Sequence, residues 1–117
     1  MEVNCSDVVL CEFYFSDMKK SKKRPVLVLK NNLPFDDFVG IPISSQIKTM
    51  HEDEFLIDNS KFKVGAIPRE SKLMIRKTFV VSKNVVIKKY GSLEKNSYFE
   101  YHKLFCKYFG CNNEKRE

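Results

Sequence analysis

The sequence has no tryptophan and only two histidines, and no apolar run approaches the roughly 20 residues that a membrane-spanning helix needs. Its first residues, MEVNCSDVV, lack the basic start and the apolar stretch of a secretory signal. These absences argue against a membrane protein and against export. We therefore expect a cytoplasmic protein with no membrane-spanning segment.

The cysteine pattern of a disulfide-rich or zinc-binding protein is also missing. The four cysteines are Cys5, Cys11, Cys106 and Cys111. They form no C-x-x-C pair, and His51 and His102 stand at no metal-ligand spacing relative to them. Thiols stay free in a reducing compartment. We therefore predict no metal site and no cofactor, with Cys11 and Cys106 as small core residues.

Length and composition indicate one small globular domain. The chain has 117 residues, of which 43% are hydrophobic and 31% charged, and ten Phe and five Tyr can fill a modest core. We place the domain at residues 1–112 and expect a frayed tail at 113–117. The net charge is +6, from 21 Lys and Arg against 15 Asp and Glu, which favours a polyanionic partner.

Apolar patterning predicts a mostly β fold. Residues 7–15 (DVVLCEFYF) are rich in β-branched and aromatic side chains, and Val9, Cys11, Phe13 and Phe15 share one apolar face. Residues 25–29 (PVLVL) are typical of a strand buried on both faces. A third strand is expected at 38–45, where Pro42 indicates an edge or a bulge. Between these strands we predict a basic loop at 16–23 and a turn at 31–34; shorter strands are expected around 55–57, 64–67, 73–75 and 78–81.

The end of the chain predicts a helix. Aromatic residues recur there at helical spacing, namely Tyr98, Tyr101, Phe105 and Tyr108. Leu104 widens this apolar stripe, Gly110 is placed to stop the helix, and Ser92 or Asn96 could cap its start. The whole pattern indicates a small, mainly β (α+β) domain, a barrel closed by a C-terminal helix.

An ordered set of motifs runs through the first 46 residues and resembles the MazF/PemK toxins. SDVVLCEFYFSDMKKSKKRPVLVL is followed, after a short gap, by GIPISSQ. The family typically shows a hydrophobic strand led by Gly-Asp, a polar loop, an Arg-Pro pair before a second strand, and a strand ending in Thr/Ser-x-Gln. Here these elements are Asp7, Arg24-Pro25 and Ser44-Ser45-Gln46. Residues 78–93 are similar to the family's connector into its last helix.

The resemblance implies the fold, activity and partners. It implies an SH3-like barrel of the MazF/CcdB/Kid type that forms a homodimer, with single-stranded RNA (mRNA) bound in a groove near the dimer interface. The protein would be the toxin of a type II toxin–antitoxin system, inhibited by a cognate antitoxin. It would cleave RNA selectively and without a metal, through attack of the 2′-hydroxyl on the adjacent phosphate to give a 2′,3′-cyclic phosphate.

The family match assigns catalytic roles to Arg24 and Ser44. The guanidinium of Arg24 is permanently charged, and its planar fork of donors fits phosphate oxygens. Ser44 takes the position often held by a catalytic Thr, and its hydroxyl could donate to the same phosphate. Residue type alone would favour a solvated Arg and a turn Ser, so these roles rest on the match.

A second set of residues is predicted to bind RNA: Lys19, Lys20, Lys22, Lys23, Gln46, Arg76 and Tyr14. The lysines precede Arg24 and could follow the phosphate backbone, although a lysine run is equally explained as a solvated loop. Tyr14 could stack on a base, although a half-buried strand residue is the commoner explanation. Arg76 would supply a second positive charge.

The general base is the main departure from the family pattern. Many members carry a Glu or His in the loop before the Arg, where this chain has lysines, and the acid that some place beside a later Arg is missing at residues 74–76. We name Asp17 and Glu70 as acid/base candidates. Two alternatives stay open: a catalytically silent homologue that binds RNA or a partner, and a gyrase-directed toxin of the same fold, which the Arg-Pro signature disfavours.

Overall fold

The structure, a computed structural model, describes residues 2–14 and 20–111. These residues form eight strands and one long helix: β1 (Asp7–Tyr14), β2 (Ser21–Leu33), β3 (Asp37–Ser44), β4 (Glu54–Ile57), β5 (Phe62–Gly65), β6 (Ser71–Met74), β7 (Phe79–Ser82), β8 (Val86–Leu93) and α1 (Lys95–Phe109). Short 3-10 turns follow β2, β4, β6 and β7. The predicted tail at 113–117 lies outside the described residues.

All strand pairs are antiparallel and belong to one curved sheet. The strand order is β4-β6-β3-β2-β1-β8-β5, and β7 pairs with β3 beside β6. Among the described residues β4 and β5 are the two ends of this order, so the sheet is a half-barrel. The predicted mainly β fold with a C-terminal helix is confirmed.

The sheet has an apolar core on each face. The helix-side core, under α1, consists of Val8, Leu27, Leu29, Ile41, Ile43, Ile57, Phe62, Ile67, Leu73, Ile75, Leu93 and Tyr101. The cavity-side core, on the other face, consists of Val3, Val9, Cys11, Val26, Val28, Phe38 and Val81. Because side chains alternate along a strand, PVLVL contributes to both cores. Its predicted burial on both faces is confirmed.

Two tyrosines of α1 fix the helix to the sheet. The hydroxyl of Tyr98 donates to the Leu29 carbonyl of β2 at 2.6 Å, and that of Tyr101 donates to the Leu56 carbonyl of the edge strand β4 at 2.6 Å. Burial raises the pKa of Tyr98 to about 12 and raises that of Tyr101 as well. Both hydroxyls therefore stay protonated and keep donating at neutral pH.

The ends of α1 match the prediction only at its C-terminus. Gly110 has a left-handed φ of 72° and ends the helix, as predicted. At the start, Glu94 occupies the N-cap position without a side-chain cap, so the predicted caps Ser92 and Asn96 were wrong. Ser92 lies in β8, where its hydroxyl donates to the buried carboxylate of Asp7 at 2.7 Å.

The strand β2 is longer than predicted at both ends. Its first residues, predicted as loop, pair with the end of β1, with Tyr14 opposite Ser21. The turn predicted at 31–34 lies instead at Pro34–Asp36. The strand β8 was not predicted as a strand, and Phe15 lies outside the described residues.

Pro42 lies on an interior strand, so the predicted edge position was wrong. On one side β3 pairs with β2, with Pro42 opposite Val26. On the other side β3 pairs with β7 as far as Gly40 and with β6 from Ile43 onward. Pro42 therefore falls where β3 passes from one neighbour to the next, a position that tolerates a missing N–H.

The cysteines follow the prediction in part. All four have free thiols, and Cys11 is completely buried in the cavity-side core. Cys106 is only half-buried on α1, so its predicted core position was wrong. Within the described residues no helix is long and apolar enough to cross a membrane.

Candidate active site

Arg24 lies where β2 changes from an exposed arm to a buried strand. The three residues before it, Ser21–Lys23, are exposed, Arg24 and Pro25 are half-buried, and the strand is buried from Val26. Across the sheet Arg24 is directly opposite Cys11 of β1. The backbone of Arg24 is thus held by a paired strand, while its long side chain extends from the end of the cavity-side core.

The side chain of Arg24 borders a surface cavity of about 330 Å³. The cavity is lined by Phe13, Arg24, Pro42, Met74, Lys77 and Phe79. The rings of Phe13 and Phe79 lie 5.7 Å apart at 47°, and both pack against the cavity-side core. Two cations beside two aromatic rings suit a ligand that carries both a phosphate and a flat base.

Ser44 lies on the same face of the sheet as Arg24. The β2–β3 register sets Val26 opposite Pro42, and Arg24 and Ser44 each lie two residues further along, toward the same end. Ser44 Oγ accepts the backbone N–H of Gln46 at 3.1 Å. Its own hydroxyl hydrogen is therefore free to donate. Ser44 does not line the cavity itself, although Pro42 on the same strand face does.

The predicted RNA-binding residues of the β1–β2 arm separate onto two faces. Lys22 pairs with Phe13, so it shares the face of Arg24. Tyr14, which is 60% exposed, and Lys23 lie on the opposite face. Lys20 is exposed just before β2. Of the described residues of this arm that were predicted to bind RNA and are paired in a strand, Lys22 lies on the face of the cavity.

Two predicted residues of this region, Asp17 and Lys19, lie outside the described residues. Gln46 is exposed, two residues after Ser44. Glu70 is exposed in the connection before β6 and does not line the cavity.

The prediction for Arg76 missed its neighbour Lys77. Both belong to the 3-10 turn Ile75–Lys77, in which successive side chains point about 120° apart. Lys77 lines the cavity of Arg24, whereas Arg76 Nε lies 3.6 Å from a carboxylate oxygen of Asp53. The acid beside Arg76 thus comes from the segment before β4 and lies away from the cavity.

No general base is evident at this cavity. Among the described residues, no Asp, Glu or His lines it. Cys11 lies directly opposite Arg24, but burial raises the pKa of its thiol to about 12, so it carries no thiolate at neutral pH. Nor do any three His, Cys, Asp or Glu side chains of the described chain come together as a metal site would require.

A buried ion pair that the sequence did not reveal lies next to Ser44. Lys72 of β6 is opposite Ser44, and its Nζ donates to Glu54 of β4 at 2.7 Å and to the Thr49 carbonyl at 2.8 Å. Glu54 also accepts the backbone N–H of His51 at 2.9 Å. Burial acts to raise the pKa of Glu54, but the hydrogen bonds from Lys72 and His51 outweigh it and lower that pKa.

Comparison with known proteins gives one family and a consistent fold. Residues 4–109 match the profile of a family described as PemK-like, MazF-like toxin of type II toxin-antitoxin system. No curated protein sequence matches the chain.

Two solved structures from mycobacteria resemble this fold. An endoribonuclease in complex with its cognate antitoxin, from a mycobacterial species, is 12% identical, with a TM-score of 0.70 over 93% of this chain and 96% of that one. The Mycobacterium tuberculosis toxin MazF-mt6 is 14% identical, with a TM-score of 0.62 over 87% and 96%. At such low identity these likenesses bear on the fold alone.

Proposed function

The chain belongs to the family of PemK-like, MazF-like toxins of type II toxin–antitoxin systems, and we propose that it is an endoribonuclease that cleaves single-stranded RNA selectively and without a metal. One observation carries the proposal: Arg24 and Lys77 line a cavity that also presents two phenylalanine rings. A cavity of this kind suits a phosphate together with the base next to it.

The reaction proposed is attack of a ribose 2′-hydroxyl on the adjacent phosphate. The 2′-oxygen forms a bond to phosphorus and the bond to the 5′-oxygen breaks, which leaves a 2′,3′-cyclic phosphate and a 5′-hydroxyl. Negative charge grows on the non-bridging oxygens, where the guanidinium of Arg24 can donate two parallel hydrogen bonds. Ser44 lies on the same face and has a free hydroxyl hydrogen to donate.

The aromatic rings and the remaining cations bind RNA in this proposal. Phe13 and Phe79 contact bases beside the cleaved phosphate, while Lys77 and Lys22 attract neighbouring phosphates. Apolar rings accept any base as a stacking partner, so selectivity would come from polar groups around the cavity. We assign this role to Gln46, whose backbone N–H donates to Ser44 Oγ.

The proton of the 2′-hydroxyl needs an acceptor, and we assign it to Asp17 in preference to Glu70. Asp17 lies in the connection between β1 and β2. The strand residues on either side of that connection include Phe13 and Lys22, on the face of the cavity. Glu70 instead lies on an exposed connection that does not line it.

The proposed partners are single-stranded RNA, a cognate antitoxin and a second copy of the chain in the cytoplasm. The family description itself places the chain in a toxin–antitoxin system. A homodimer would sediment at twice the monomer mass of 13.8 kDa. A clean monomer at micromolar concentration would contradict the dimer, because small oligomers are most often two-fold pairs.

The test is incubation of the purified chain with a long single-stranded RNA in EDTA, beside Arg24→Ala and a matched Arg69→Ala. Arg69 is exposed in the β5–β6 connection and does not line the cavity. We expect discrete fragments with 5′-hydroxyl ends from the unmodified chain and from Arg69→Ala. Arg24→Ala should cleave about 10³-fold more slowly, because a charge-stabilising donor is lost.

The absence of an acid among the lining residues favours a second candidate function, a catalytically silent homologue that binds RNA. Intact RNA after incubation with the folded chain, together with salt-dependent RNA binding, would establish that alternative. Growth arrest that persists in Arg24→Ala would instead indicate a protein target, such as gyrase.

A further inference from the structure

The segment at residues 45–53, which joins β3 to β4, follows Ser44, and three hydrogen bonds hold its start and its middle. Near its start, the Gln46 N–H donates to Ser44 Oγ. In its middle, the Thr49 carbonyl accepts from Lys72 Nζ, and the His51 N–H donates to Glu54. The last two anchors belong to one buried ion pair.

This ion pair lies directly beside the candidate catalytic serine. Lys72 is the cross-strand partner of Ser44, and Glu54 is on the neighbouring strand β4. Their side chains are only 8% and 5% exposed. Lys72 has three donors and uses two of them, one on Glu54 and one on the backbone of the segment. The pair therefore connects the position of Ser44 to the path of the chain that follows it.

A buried ion pair is a weak device for stability. Removing two charges from water is costly, so well-packed apolar residues in their place are often neutral or stabilising. What apolar residues cannot provide are the hydrogen bonds to Thr49 and His51. The specific effect of this ion pair is thus to hold residues 45–53 in a fixed position.

Resting on the proposed function, we propose that Lys72 and Glu54 are positioning residues for RNA cleavage, which hold Ser44 and residues 45–53 in place beside the Arg24 cavity. Neither side chain touches the cavity, since both are buried and neither lines it. They act on the reaction through Ser44 and Gln46. A small displacement of a positioned group is enough to slow catalysis about 100-fold.

The test is the double variant Lys72→Met/Glu54→Leu, because the single Lys72→Met would leave a buried carboxylate without its partner and could unfold the chain. The double variant removes both charges and leaves the Thr49 carbonyl and His51 N–H to water, since both residues are exposed. We expect an unchanged or higher melting temperature, a kcat that falls about 10- to 100-fold, and a KM within about threefold.

Two further measurements separate positioning from stability. Hydrogen exchange of the His51 and Gln46 amides should be faster in the double variant than in the unmodified chain, while amides of the helix-side core stay protected. Lys72→Arg keeps the positive charge but replaces a compact ammonium by a planar guanidinium. It should therefore fold like the unmodified chain and keep only part of its kcat. The matched control is Lys63→Met, at an exposed lysine of β5 that does not line the cavity, and it should keep kcat.

The result that would overturn the positioning role differs from the result that would overturn the proposed function. An unmodified chain that cuts RNA, beside a double variant with the same kcat, would overturn the positioning role and leave the proposed function standing. An unmodified chain that cuts no RNA would overturn the proposed function, and the catalytic role of the pair with it. Unchanged exchange at His51 would overturn the anchoring of the segment in either case.

Discussion

Alternate side chains of β2 enter two different environments. Leu27 and Leu29 point into the helix-side core, which α1 covers and where two tyrosine hydroxyls bond to sheet carbonyls. Val26 and Val28 point into the smaller cavity-side core, and the residue that continues this face toward the open end is Arg24. One face of the strand thus supplies mostly stability, and the other ends in a charged cavity. Substitutions on the two faces should therefore affect different measurements.

A substitution in the helix-side core should destabilise the protein most. Leu27→Ala should lower the free energy of unfolding by about 2–5 kcal/mol, because it removes buried contacts and leaves a cavity in a packed core. Urea denaturation measures the loss, with the exposed Lys30→Ala on the same strand as control. Arg24→Ala should cost less than about 1 kcal/mol in the same experiment, since it is at the surface end of the face. Equal losses for Leu27→Ala and Arg24→Ala would contradict the division.

The elements of the fold differ in how far the sequence could predict them. The run PVLVL and the aromatic spacing of 98–108 are strong local signals, and they predicted a doubly buried strand and the C-terminal helix. β8 gave no such signal, because VIKKYGSL mixes lysines with apolar residues and its first five positions are half-buried or exposed. Pairing with β1 and β5 decides its conformation, and pairing is not visible in a local pattern.

A substitution at the cavity should change RNA binding and cleavage but leave stability nearly unchanged. Lys77→Met should lower kcat/KM about tenfold, equivalent to about 1.4 kcal/mol, because one phosphate contact is lost. In a plot of the logarithm of the RNA-binding constant against the logarithm of the salt concentration, the slope should become less steep by about one. The free energy of unfolding should change little. The control is Lys63→Met on the exposed part of β5. Equal effects of Lys63→Met would mean that the net charge, and not the cavity, attracts RNA.

The sequence did not predict the parts of the site that depend on side-chain direction or on contacts between distant segments. Motifs located Arg24 and Ser44, and the sheet register brings both to one end of one face. Lys77 was missed in favour of Arg76, because adjacent basic residues look alike until the direction of each side chain in the turn is known. Lys72 and Glu54 are 18 residues apart, and only the pairing of β4 with β6 brings them together.

A smaller effect is expected where α1 joins the sheet. Tyr101→Phe should lower the free energy of unfolding by about 1 kcal/mol, because the Leu56 carbonyl on the edge strand loses its donor. RNA cleavage should stay within about twofold of the unmodified chain, since Tyr101 lies on the face opposite the cavity. The control is Tyr108→Phe, on the exposed side of the helix. A loss of cleavage without a loss of stability would show that the two faces are coupled.

The Lys72–Glu54 ion pair should make a small contribution to how the free energy of unfolding depends on pH. Burial acts to raise the pKa of Glu54, but its hydrogen bonds with Lys72 and the His51 N–H outweigh burial and lower that pKa from an ordinary value near 4.5. A carboxyl with a lowered folded pKa stabilises the native state above its unfolded pKa, and this contribution disappears as the pH falls through the folded value. Stability should therefore decline below about pH 4.5, and part of the decline should be missing from Lys72→Met/Glu54→Leu.

Asp58, whose pKa is also lowered by its hydrogen bonds with Ser60, contributes equally to both proteins and so cancels in this comparison. Denaturant titrations at several pH values between about 3 and 7 measure the difference. If both proteins lose stability in parallel, the ion pair does not hold its charge in the folded state. The anchoring of residues 45–53 would then need another source, because only an ionised Glu54 pairs with Lys72 as a full charge.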